Sequence, residues 1–310
     1  MEKSELSIIF GAGLVLTAAI WGFAFVVVKD SLDFVGPTWM VAIRFTIAAV
    51  CFGFIFIKRF QHLNKDIFFH GCFLGVLLFL GYLTQTIGCN FTTAGKNAFL
   101  TTFYVILVPL IGWPVFKKKP GWYVWVAAAV ALTGIGLLAL DGDGAWYIMN
   151  RGDVLTLICG IFFALHIIAG SFFVKKEDVI LLTFFQFAAS GVLGFLTAPF
   201  LDGNFDVSLI KNSTVVVSML YLGIFSSMVC FVLQNVGLKY VPSALASLFL
   251  SLESVFGVLC SCIFLGERLT LKMFVGCALI FCAIVLAEVI PNLKQDKKYF
   301  LMTLSYFMSL

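Results

Sequence analysis

A few polar side chains stand in stretches of this sequence that are otherwise apolar, and they are its candidates for chemistry. Glu253 lies in the middle of one such run, flanked by Ser251 and Ser254. Away from water a carboxyl group favours its neutral form, so a residue there can take up and release a proton or hold a cationic group. The alternative is a neutral acid hydrogen-bonded to a neighbouring helix. His166 is a second candidate for handling protons, because an imidazole titrates near neutral pH. Arg44 can bind an anionic group, or its long side chain can snorkel to a membrane surface or hold carbonyls at a helix end. Gln85 and Gln234, with Gln186 and Asn235, can line a polar path or hydrogen-bond helix to helix. Trp21, Trp39, Tyr82 and Tyr104 stand at depths where a pocket would form, with an interface anchor as the alternative for Trp39.

These residues do not compose an enzyme's signature. There is no G-x-x-x-x-G-K phosphate loop, no H-E-x-x-H and no G-x-S-x-G, so neither catalysis nor a cofactor is expected. The D-G-D-G stretch at 141–144 lacks the other ligands of a metal loop and reads as a solvated turn. Nine cysteines, an odd number, lie in or beside apolar runs and read as small hydrophobes rather than disulfides or metal ligands. A net charge of +4 gives no support to a nucleic-acid partner.

The elements that must position the candidates follow from composition. The 310 residues are 62% hydrophobic and 12% charged, about half the ~25% charged share of a soluble protein. Mean hydropathy is +1.08. A helix needs ~20 apolar residues to cross a bilayer. Ten segments meet that need: 7–28, 38–57, 67–89, 96–116, 121–140, 152–174, 179–200, 214–237, 242–264 and 270–290. The fold class is therefore an all-α integral membrane protein with ten transmembrane helices. The first segment lacks a cleavage pattern and reads as a span that stays. Thirteen of the twenty Lys and Arg fall on the side shared by both termini and six on the other, which predicts cytoplasmic termini. Residues 291–310 form a tail, basic and then apolar over twelve residues, which is too short to span and reads as an interfacial helix.

A repeat runs at a fixed offset of 149, pairing Gln85 with Gln234, Gly88 with Gly237, Ala129 with Ala278 and Phe91 with Tyr240. It also pairs Tyr104 with Glu253, an acid and a phenol at equivalent heights. The diagonal superposes segments 3–5 on segments 8–10, so residues 1–145 and 146–290 read as two five-helix halves. An odd number of spans forces the second half to enter the membrane upside down. Inverted repeats of this kind put a binding site near the midplane between the halves.

Several groups of residues carry a resemblance. In the first half they are Trp21-Gly22 with Lys29, Arg44-Phe45 and the run 92–110; in the second, Tyr240-Val241-Pro242, Ser251-Leu252-Glu253 and the run 266–270 (G-E-R-L-T). In these residues and their order, over 7–290, the chain resembles the ten-helix EamA-type carriers of the drug/metabolite transporter superfamily. Two positions depart: Ser254 stands where similar proteins have proline, and Lys117-Lys118 stands where an acidic residue is usual. The resemblance implies a secondary carrier in the cytoplasmic membrane that exports amino acids or other small metabolites by alternating access. Its partners would be that substrate and membrane lipid, with a proton as the candidate coupling ion. One chain supplies both halves, so a monomer suffices. The candidates for substrate binding or coupling are Glu253, Tyr104, His166, Arg44, Trp21, Gln85, Gln234 and Tyr82. Two other readings stand beside it: a lipid or lipid-linked sugar flippase of the same fold, and a membrane-embedded enzyme acting on a lipid.

Overall fold

A computed structural model of the chain describes residues 3–117, 119–139, 150–266 and 271–292. The expected tail helix, the 141–144 turn and positions 267–270 of the resemblance lie outside these residues. Within them the long elements are all helices: α1 (Lys3–Ser31), α2 (Pro37–Ile55), α3 (Lys65–Phe91), α4 (Ala94–Phe116), α5 (Trp122–Ala139), α6 (Arg151–Phe173), α7 (Val179–Leu201), α8 (Ser213–Tyr240), α9 (Ser243–Phe264) and α10 (Leu271–Asn292). Eight of these are long and apolar enough to cross a membrane, whereas α5 and α10 carry shorter apolar stretches. In lipid every backbone polar group must be satisfied within the protein, which is why apolar runs of this length fold as helices. Their starts are set by side chains that accept the first unpaired N–H groups: Asn64 for α3, Thr93 for α4, Asp178 for α7 and Asn212 for α8. Asn150 and Asp153 cap α6 reciprocally, each side chain accepting from the other's backbone.

Three helices are not regular throughout. In α4 the helix breaks between Thr101 and Tyr104, and in α9 it breaks at Ser251. Hydroxyls compete for the backbone carbonyls at both breaks: Thr101 donates to the Asn97 carbonyl, Thr102 to that of Phe99 and Ser251 to that of Leu248. In α8 the segment Tyr221–Val229 is π-helical.

The two halves repeat in their helix ends as well as their residues. Adding 149 to Ala94, Thr101 and Trp122 gives Ser243, Leu250 and Leu271, the matching boundaries of α9 and α10. For the first two helices of each half the spacing is 142, from Ser31 to Phe173 and from Pro37 to Val179. Packing follows the same symmetry. Helix α1 lies on α8 and α9 as α6 lies on α3 and α4, while α2 meets α7, α4 meets α9 and α5 meets α10 across a pseudo-twofold axis. Small residues permit the closest approaches. A Cβ on Gly75 would lie 2.6 Å from that of Ala189 in α7, and one on Gly194 would lie 2.6 Å from the Cα of Ala42 in α2. Trp39 anchors one end of that contact through a 2.9 Å bond from Nε1 to the Gly203 carbonyl. Beside it, Asp202 accepts the first N–H groups of α2 at Thr38 and Trp39.

Candidate functional site

Side chains from both halves line a narrow cavity of about 40 Å³ at the centre of the bundle. All eight residues singled out from sequence line it: Trp21 from α1, Arg44 from α2, Tyr82 and Gln85 from α3, Tyr104 from α4, His166 from α6, Gln234 from α8 and Glu253 from α9.

Glu253 is 4% exposed and Tyr104 2%; the Tyr104 hydroxyl donates to Glu253 Oε1 at 3.0 Å. Arg44 is 2% exposed, so it does not snorkel. Its Nε and Nη2 instead donate to the hydroxyls of Ser227 and Ser226, at 3.0 and 2.9 Å. Tyr82 interacts electrostatically with both Arg44 and Glu253. Among the described residues Arg44 and Glu253 form no ion pair with each other or with any other group.

His166 is held on both sides. Gln234 Nε2 lies 3.5 Å from its Nδ1 and Gln186 Oε1 lies 3.1 Å from its Nε2. An amide nitrogen can only donate, so Nδ1 accepts and Nε2 carries the hydrogen given to Gln186. Gln85 reaches from α3 to the Thr101 hydroxyl at 3.1 Å. Both repeated glutamines therefore bond helix to helix and also face the cavity. Trp21 Nε1 donates to the Ser226 carbonyl at 2.7 Å.

Sequence reasoning did not single out Asn97, Phe163, Ser226 and Phe231, which line the same space. Asn97 Nδ2 is committed to the Gln85 carbonyl and the Thr156 hydroxyl, and its Oδ1 meets no donor among the described residues. Its position in the repeat gave no signal, because the counterpart is Ala246.

Toward the two ends of the bundle the chemistry differs at equivalent positions. At one end Asp153, 1% exposed, accepts from Lys96 Nζ at 2.7 Å, the Thr92 hydroxyl at 3.1 Å and the Asn150 N–H at 3.1 Å. Lys29 Nζ caps the end of α3 there, on the carbonyls of Cys89 and Thr92. At the other end the counterparts of Thr92, Lys96, Asp153 and Thr156 are Val241, Leu245, Gly11 and Leu14. Phe10 stacks on Tyr240 beside them with ring centroids 4.4 Å apart.

An inverted-repeat helical bundle with a central cavity walled by both halves is the architecture of a membrane transporter. The profile of the EamA-like transporter family matches the chain twice, over residues 9–140 and 150–288, and the chain belongs to that family. An uncharacterized transporter of Archaeoglobus fulgidus is 35% identical over 280 residues, covering 89% of this chain and 84% of the relative. The uncharacterized transporter YoaV of Bacillus subtilis is 24% identical over 278 residues, covering 88% and 94%. A crystal structure 15% identical in sequence superposes with a TM-score of 0.74 over 94% of this chain and 99% of the other, a likeness of fold.

Proposed function

We propose that this membrane transporter is a secondary carrier that exports amino acids or other small metabolites across the cytoplasmic membrane, with both termini in the cytoplasm. One half rocks against the other, and the cavity is reached alternately from each side. The coupling ion is a proton carried by Glu253. The observation behind this reading is the bond from Tyr104 to Glu253, a buried carboxyl without a cationic partner among the described residues. Its two members come from opposite halves, so movement of the halves changes the surroundings of the acid. In one state Glu253 holds a proton; in the other it gives the proton up or holds a cationic group of the substrate. One unit of pH difference supplies about 1.4 kcal/mol per proton, enough for roughly tenfold accumulation.

The test is flux of a labelled amino-acid pool in liposomes under an imposed pH difference. Glu253→Gln is expected to abolish pH-driven flux while leaving exchange measurable. Unchanged pH-driven flux in that variant overturns the proton role.

A further inference from the structure

The proton cycle leaves Arg44 unexplained. It is a buried cation in the cavity wall that no carboxylate meets among the described residues, and such a charge is costly to keep. One edge of its guanidinium, Nε and Nη2, is taken by Ser227 and Ser226. Its face is covered by the Tyr82 ring, 4.3 Å from the central carbon. The guanidinium also donates a side-chain hydrogen bond to Tyr82, and its end-on edge, Nη1 with the second hydrogen of Nη2, is a pair of parallel donors that matches the two oxygens of a carboxylate.

What holds the group is a local departure from the repeat. Ser226 and Ser227 lie in the π-helical segment Tyr221–Val229, whereas the equivalent residues 72–80 of α3 are regular α-helix. Successive side chains on an α-helix point roughly 100° apart. The wider π turn closes that angle and lets two consecutive hydroxyls reach one guanidinium. The segment is itself fixed in place. Its Ser226 carbonyl takes Trp21, the Tyr221 hydroxyl donates to the Ile20 carbonyl at 2.9 Å, and a Cβ on Gly223 would lie 3.1 Å from the Arg44 carbonyl oxygen.

We infer that the end-on edge of Arg44 grips a carboxylate of the transported molecule, with Ser226 and Ser227 as positioning residues. The inference rests on the carrier reading and names its substrate class: small molecules bearing a carboxylate, their apolar remainder lying against Trp21, Phe163 and Phe231. A single guanidinium balances one negative charge, which favours a carboxylate over a doubly charged phosphate.

The experiment is counterflow in liposomes, with labelled leucine, methionine and phenylalanine as probes. Each amino acid and its amide, which keeps the amine and lacks the carboxylate, serve as competitors. The acids are expected to compete, and the amides to need about a hundredfold higher concentration. The Ser226→Ala/Ser227→Ala double variant should raise the half-saturating concentration for acids about tenfold, with maximal rate unchanged. Ser226→Thr/Ser227→Thr keeps both hydroxyls and should retain the wild-type value. Equal competition by acids and amides overturns the inference, as does a double alanine variant with unaltered half-saturation; both leave the carrier reading standing. Exchange of neither class by folded, inserted protein overturns both.

Discussion

The hydroxyl of Tyr104 donates to Oε1 of Glu253 at 3.0 Å, and the two residues are each other's counterparts in the repeat, 149 positions apart. Two equivalent positions can touch only beside the axis that relates them. This bond therefore lies on the pseudo-twofold axis, where the two breaks, in α4 and α9, also meet. An acid from one half and its donor from the other join the halves on that axis, which is the place for a group whose surroundings must change as the halves move.

Tyr104→Phe keeps the ring and removes the donor. A hydrogen bond to an ionisable group is worth about 1.5–3 kcal/mol, so pH-driven flux should fall at least about tenfold. Thermal unfolding of the same variant checks that the protein still folds. Full activity in Tyr104→Phe contradicts a role for the bond.

Lys96 and Asp153 should behave as a pair. Lys96→Met leaves a carboxylate that is 1% exposed with only Thr92 and the Asn150 N–H as donors. Losing one partner of a buried pair costs about 3–5 kcal/mol, and the 29% exposure of the lysine reduces that to about 2. The apparent melting temperature should drop by several degrees and recover in Lys96→Met/Asp153→Asn, as a double-mutant cycle would read. Additive losses instead would show that the two groups do not depend on each other.

Gly194→Val tests the packing of α7 on α2 away from the cavity. Its new Cβ would meet backbone at Ala42, which cannot swing aside. Overpacking of this kind costs about 1–3 kcal/mol, so the variant should melt earlier while residual transport keeps the wild-type half-saturation. A changed half-saturation would link this contact to the site.

Much of this architecture was legible in the residues, and the reason is physical. Apolar runs must satisfy their backbone within a helix, so the spans could be placed to within a few residues, and the offset of 149 aligned Tyr104 with Glu253 before any geometry was available. Ionised or strongly polar groups such as Arg44 and Glu253 stand out against an apolar background because burying them is costly. Ser226 and Asn97 cost less to bury, so they did not stand out. The breaks at Thr102 and Ser251 were read as continuous helix. Neither carries a proline or glycine, and they arise from hydroxyls that bond back to the preceding turn. Nothing in the composition of Tyr221–Val229 marks it as π-helical; its partners on α1 and α2 are supplied by the folded bundle.

The most direct test of the central claim is counterflow by the purified protein in liposomes loaded with an unlabelled metabolite pool. Uptake from an isotopically labelled pool is read by mass spectrometry, which assumes neither direction nor driving force. Accumulation of one or a few small metabolites, lost when the cavity wall is enlarged by Ala24→Trp in protein that is folded and inserted, is the result this account predicts. Accumulation of none of them by folded, inserted wild-type protein would contradict it.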